Sequence, residues 1–174
     1  MFCDDLRLPI TRRSAVRRMR LALMLIAPLL GAVATPVRAA DDGAFPMWRS
    51  LRDPVVNMRT GPGEDYGIRF VYRRQHLPVK VLRTWGGWYF VEDPDGTRGW
   101  MMMRFVSREQ TALINGRRPV EMHAGPGETT PLLWKLAPGV IGKLGDCKER
   151  WCRLDVDHHA GYVPAERLWG VTLK

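Results

Sequence analysis

The sequence predicts an all-β protein in which two small barrels stand in tandem behind a cleaved N-terminal leader. Three observations carry that expectation. The chain repeats itself at an offset of about 64 residues: Met58-Arg59-Thr60-Gly61-Pro62-Gly63-Glu64 meets Met122-His123-Ala124-Gly125-Pro126-Gly127-Glu128. Within each repeat, short runs of β-branched and aromatic residues alternate with Gly, Pro and Asp, and no stretch carries a helical period. The first forty residues differ in kind, passing from an arginine-rich segment to an apolar run and then to small residues.

The leader comes first. Arg12, Arg13, Arg17, Arg18 and Arg20 precede the apolar run Leu21 to Ala34, and Val37 and Ala39 occupy the −3 and −1 positions of a cut before Ala40. The run is about 14 residues, short of the roughly 20 that a membrane-crossing helix needs, and Pro28 and Gly31 interrupt it. No cysteine follows it to accept a lipid, so no stable membrane anchor is expected, and the mature chain is read as a soluble, periplasmic or secreted monomer. Thr11-Arg12-Arg13-Ser14 resembles a twin-arginine export motif, the general secretory route being the alternative, and Met19 would also serve as a start. The expected organisation is a signal peptide over 1–39, a linker over 40–47, a first barrel over 48–108 and a second over 109–174, with the seam near Ser107 to Asn115.

In the first repeat the pattern predicts strands near Pro54 to Arg59, Ile68 to Tyr72, Val79 to Leu82, Trp88 to Val91 and Gly99 to Met102. Asp93-Pro94-Asp95-Gly96 is a turn, because Pro presets φ at its second position and Gly tolerates positive φ. Trp88-Tyr89-Phe90-Val91 suits a strand with one face in the core and the other against a groove or the second repeat. Trp151-Cys152-Arg153-Leu154 and Gly161-Tyr162-Val163 match Trp88-Tyr89-Phe90-Val91 and Gly99-Trp100-Met101. Five or six strands in about 60 residues point to a closed barrel, and a domain that small is marginally stable alone, so docking of the repeats or a covalent staple is expected.

Charge excludes one class of partner. The chain carries +9, but the leader accounts for +5 of it, and the +4 that remains is no nucleic-acid footprint. The remainder is uneven, with +5 over residues 48–108 and +1 over 109–174. Cys147 and Cys152 are the only cysteines of the mature chain, and in an exported protein their proximity reads as a disulfide; a redox or metal pair is the less favoured alternative. Asp155, Asp157 and His159 alternate as though on one face of a strand, where a weak metal site competes with a solvated hairpin; the hairpin is preferred, and no metal or other cofactor is expected. Gly61-Pro62-Gly63 is no phosphate loop, since Pro removes a donor and no Gly-Lys-Ser/Thr follows; its glycines are read as letting the chain turn out of the first strand.

The string Val56-Asn57-Met58-Arg59-Thr60-Gly61-Pro62-Gly63, followed by Trp88 and then by Gly99-Trp100, resembles the bacterial SH3-like domain family. The second-repeat elements Cys147, Trp151-Cys152-Arg153 and Gly161-Tyr162-Val163-Pro164 narrow the resemblance to short exported tandem-repeat members, and it runs from about Ala44 to the C-terminus. It implies SH3-like barrels of the cell envelope and a binding module rather than an enzyme, recognising peptidoglycan peptide stems or another wall polymer. The alternative is a structural adaptor for an extended segment of an envelope protein. Within that frame the ligand-binding candidates are Arg59, Tyr66, Tyr72, Arg73 and Trp85, aromatic rings interleaved with guanidinium groups that suit carboxylate-bearing peptides or glycans. Trp88 and Trp100 are expected in the core, and Tyr66 and Trp85 in loops.

Overall fold

Both repeats are built from the same seven strands. The computed structural model describes residues 45–172; the leader, with Cys3, lies outside the described residues. The first repeat contains β1 (Met47–Leu51), β2 (Val56–Arg59), β3 (Ile68–Tyr72), β4 (Pro78–Trp85), β5 (Trp88–Glu92), β6 (Arg98–Met102) and β7 (Val106–Ser107). The second contains β8 (Thr111–Ile114), β9 (Val120–His123), β10 (Leu132–Leu136), β11 (Ile141–Lys148), β12 (Trp151–Val156), β13 (His159–Pro164) and β14 (Leu168–Trp169). The strand orders are β3-β2-β6-β5-β4-β1-β7 and β10-β9-β13-β12-β11-β8-β14, one topology used twice.

In the first repeat, alternation turns Val56, Met58, Val79, Val81, Val91 and Met101 toward one cluster that also takes Leu51 and Val106, so a single antiparallel sheet curves around it. A second cluster holds Ile114, Val120, Met122, Cys152, Leu154 and Val163. Gly99 and Gly161 let these cores close: a Cβ on Gly99 would stand 2.4 Å from Met58 Cγ, and one on Gly161 2.4 Å from Met122 Cγ.

Four details differ from the sequence reading. Strand β1 begins at Met47, inside the segment assigned as linker, and its register with β4 runs from Met47↔Val81 to Ser50↔Pro78. The expected seam contains β8, every residue of which is buried. Its alternation sends Leu113 into the first cluster and Ala112 and Ile114 into the second, so this strand serves two cores at once. The barrels are not closed by hydrogen bonds, because β3 and β10 remain sheet ends. Trp88 and Trp100, each 8% exposed, belong to neither cluster: they lie on the outer face of the sheet, opposite Tyr89, Val91 and Met101.

The expected docking of the repeats is present. Trp48 meets Trp169 edge to face at 5.0 Å. Ser50 Oγ donates to the Glu109 carbonyl at 2.8 Å, Thr111 Oγ1 donates to the His76 carbonyl at 2.7 Å, and the Arg74 guanidinium donates to the Gly139 carbonyl. The covalent staple is present too. Cys147 and Cys152 are disulfide-bonded and face each other across the β11–β12 hairpin.

Candidate functional site

The outer face of the first sheet carries a row of side chains that register alone assembles. Arg59 of β2 lies opposite Trp100 of β6, Trp100 opposite Phe90 of β5, and Phe90 opposite Arg83 of β4. These residues span three inter-strand spacings, about 14 Å of sheet. The Arg83 guanidinium stands over the Phe90 ring at 4.7 Å and the Trp100 ring at 5.1 Å, and the two rings are 5.1 Å apart. This stacking is what buries Trp100 outside the core, with the ring faces attracting the cation. Trp85, expected in a loop, is instead the last residue of β4, two residues beyond Arg83 on the same face and opposite Trp88, and is 69% exposed because the strand ends there. Arg83 is the member that sequence reading missed. Its signal was present, since i and i+2 along β4 place Arg83 and Trp85 together once the strand is extended beyond Leu82.

At the other end of the row the loop 60–67 is tied down by Arg59. Its guanidinium donates to the carbonyls of Glu64 and Tyr66, at 2.9 and 2.6 Å. Tyr66, half exposed, lies flat on the glycines, where a Cβ on Gly61 would come within 2.3 Å of the ring and one on Gly63 within 3.2 Å. Neither glycine has positive φ, but the chain turns here as expected, with the Gly63 N–H donating to the Gly61 carbonyl at 3.1 Å, and the missing side chains admit the tyrosine ring. The second repeat reproduces the clasp with other side chains: His123 Nδ1 donates to the Thr130 carbonyl at 2.8 Å, with Thr130 above Gly125. The imidazole ring meets Trp151 edge to face at 5.5 Å.

Tyr72 and Arg73 do not join this face. Tyr72 pairs with Val56 while Arg59 pairs with Ile68, which puts them at opposite ends of the β2–β3 hairpin. The Tyr72 hydroxyl donates to Asp93 Oδ2 at 2.6 Å, and Asp93 Oδ1 accepts from the backbone N–H groups of Asp95 and Thr97, at 3.0 and 2.7 Å. Tyr72 therefore fastens the expected turn, in which Gly96 has φ 82°. Burial first, then the hydrogen bond and charge of Asp93, push the Tyr72 phenol well above its ordinary value. The unfolded chain ionises this tyrosine near pH 10 while the folded chain keeps the proton, so its contribution is complete below about pH 10 and falls as pH rises further. Melting temperature should drop between about pH 10 and 11 in the wild type, and Tyr72→Phe should reduce the slope. An identical alkaline slope in both proteins would contradict the assignment.

The alternation of Asp155, Asp157 and His159 is cut by a turn. Asp157 and His158 have φ 49° and 68°, β12 ends at Val156, and His159 opens the next strand with its ring 4.6 Å from Trp134. The three residues do not share one strand face. Among the described residues no group of three or more His, Cys, Asp or Glu side chains is placed to hold a metal ion.

The two outer faces differ in charge. Asp146 of β11 takes the place of Arg83, Arg153 that of Phe90, and Lys148 that of Trp85, so the second repeat lacks the guanidinium stack. Glu64 reaches Arg104 at 3.8 Å in the first repeat, whereas the corresponding Glu128 and Glu166 have like charge.

The model of the bacterial SH3 domain matches the chain twice, over residues 52–107 and 117–170, which together take in more than half of it. The chain belongs to the bacterial SH3 domain family. Each match of this SH3 family falls on one of the two seven-stranded sheets. Among curated proteins the chain is similar to "Putative N-acetylmuramoyl-L-alanine amidase YrvJ" of Bacillus subtilis, 25% identical over 122 residues. That match takes in 64% of this SH3 chain but only 23% of the relative. Solved structures with a likeness include NlpC2 and NlpC1 of Trichomonas vaginalis, at 11% and 12% identity and TM-score 0.33 for both. They cover 71% and 75% of this chain and 48% of each of the others. An NlpC/P60 family protein of Bacillus cereus is 11% identical with TM-score 0.31, over 70% of this chain and 55% of that one. Likeness of this size carries no functional argument.

Proposed function

We propose that this protein is an exported, envelope-located binding module that attaches to a cell-wall polymer, with peptidoglycan peptide stems as the ligand class. The observation that carries the reading is the row Arg59–Trp100–Phe90–Arg83 with exposed Trp85 and Tyr66 at its ends. Trp85 and Tyr66 offer flat apolar surface for a glycan or peptide, and the Arg83 guanidinium offers a partner for its carboxylates. Membership of the bacterial SH3 family and similarity to a protein named as an N-acetylmuramoyl-L-alanine amidase support the same reading. The first repeat is favoured because it holds the +5 excess and the cation–π stack. Of the residues proposed from sequence, Tyr66 and Trp85 keep a contact role. Arg59 contributes by holding the Tyr66 loop, Tyr72 acts as a turn fastener, and Arg73 lies apart from this face.

The test is co-sedimentation of the mature chain with purified, protein-free peptidoglycan. Binding should weaken with salt, because exposed charges are screened over about 8 Å at physiological ionic strength. Alanine at Tyr66, Arg83 or Trp85 should weaken it, by about 2 kcal/mol for a true hot-spot ring, with melting temperature nearly unchanged for Trp85. If these variants bind like wild type while alanine at His123, Arg153 or Tyr162 abolishes binding without unfolding, the second repeat is the binder. No sedimentation at any salt concentration overturns the reading.

A further inference from the structure

We propose that the free edges of β3 and β10 each accept an extended, acidic segment of a partner protein as an added strand, separately from the wall-binding face. Both strands stand at one end of their sheet order, so their outward N–H and C=O groups have no strand partner among the described residues. Sheets ordinarily keep such edges short, and the opposite ends obey this, since β7 and β14 are two residues each. β3 and β10 are five residues each.

Each of these strands is interrupted by one bulged residue, Arg69 and Leu133, but their side chains depart from a protected edge. Of the ten large apolar side chains exposed among the described residues, six lie here: Ile68, Phe70 and Val71 on β3, and Leu132, Leu133 and Trp134 on β10. The feature occurs twice, at equivalent edges, although the strands read Ile-Arg-Phe-Val-Tyr and Leu-Leu-Trp-Lys-Leu. An exposed edge with apolar side chains on both faces is suited to strand addition, where the backbone supplies affinity and alternate side chains supply selectivity.

Charge selects the occupant. β3 carries Arg69 and runs into Arg73, with no acidic residue on the strand, whereas Lys135 of β10 is paired with Glu121 at 3.1 Å, so the charge argument rests on β3. Pairing of two β3 edges from two copies would bring Arg69 and Arg73 of both chains close together, and like charges oppose such a pairing. Arg69 stands at a bulge of β3 and Arg73 just past its end, so two guanidinium groups flank the strand where carboxylates of an added segment would meet them. Beside this edge Arg69, Phe70, Gly96, Thr97 and Arg98 line a shallow depression that a side chain of the added strand would enter.

The experiment uses the full mature chain and fluorescein-labelled octapeptides of alternating valine and glutamate, followed by anisotropy. The acidic peptide should bind, and a valine–lysine peptide should not. A valine–glutamate peptide N-methylated throughout has the same charge but no backbone donors, and should bind at least tenfold more weakly. The double variant F70E/W134E, altered only at half-exposed side chains, should lose the peptide yet still sediment with peptidoglycan and keep its melting temperature. Absence of acidic-peptide binding, or equal binding of the N-methylated peptide, overturns the proposal. Loss of sedimentation by the folded variant would assign the edges to the wall site, and concentration-dependent self-association abolished by F70E/W134E would assign them to a second copy; either overturns it.

Discussion

Gly99→Ala and Gly161→Ala should each destabilise the protein by about 2–3 kcal/mol, the upper part of the range for forcing extra volume into a packed core. The physical reason is shared by the two repeats. A Cβ at position 99 would lie 2.4 Å from Met58 Cγ and 2.9 Å from the Arg59 carbonyl oxygen; at position 161 the corresponding distances are 2.4 Å to Met122 Cγ and 2.8 Å to the His123 carbonyl oxygen. Both methionines are fully buried, so neither can swing into solvent, and the oxygens belong to the adjacent strand. For a domain of this size about 1 kcal/mol corresponds to 4–8 °C, so a fall of roughly 10–20 °C in melting temperature is expected. A cycle with Met58→Ala separates the cause. Removing the methionine alone should cost about 2–5 kcal/mol by leaving a cavity, but in the Gly99→Ala background it should cost clearly less, because the new methyl group uses that space. Strict additivity of the two substitutions would show that the glycine matters for another reason.

Replacing Cys147 and Cys152 together by serine should remove about 2 kcal/mol by the loop-entropy estimate, and more because Cys152 is fully buried and a hydroxyl there is desolvated. The bridge closes a hairpin that local sequence disfavours. Glu149 and Arg150 occupy its two-residue turn with φ 48° and 66°, the left-handed region that favours glycine. In the first repeat the matching turn is Gly86-Gly87, at φ 49° and 85°, where no such penalty applies. The staple thus offsets turn chemistry that the second repeat lacks. Grafting Asn-Gly in place of Glu149-Arg150 should recover part of the loss in the serine variant, by roughly 1–2 kcal/mol. The measurement is melting with and without reductant, and insensitivity of the wild type to reductant would refute the stabilising role.

Much of this architecture was legible because a repeat offers each inference twice. The glycine–proline–glycine strings, the Trp88 and Trp151 strands and the Gly99 and Gly161 strands recur in order, and alternation within them marked the core faces. The disulfide followed from two cysteines left in a short segment, and the Asp93–Gly96 turn from the φ preferences of its residues. Strand β8 escaped because both its faces are buried: Thr-Ala-Leu-Ile has no polar alternation when Leu113 and Ile114 enter different cores, and it reads as a seam. The proposed contact residues divided for a similar reason. Tyr66 and Trp85 were recognisable as exposed rings, but the bond from Tyr72 to Asp93 joins residues 21 apart in the chain, and nothing local announces it.

Local chemistry by itself determined most strands of the first repeat, the Asp93–Gly96 turn, the twofold repetition and the staple, since each depends on dihedral preference, alternation or proximity in the chain. Only the tertiary structure decided which arginine stacks on which ring, that Trp88 and Trp100 are buried on an outer face, and that β3 and β10 end their sheets with apolar side chains in the open. Those outcomes rest on register between strands far apart in sequence, and a register is chosen by the whole sheet closing on its core.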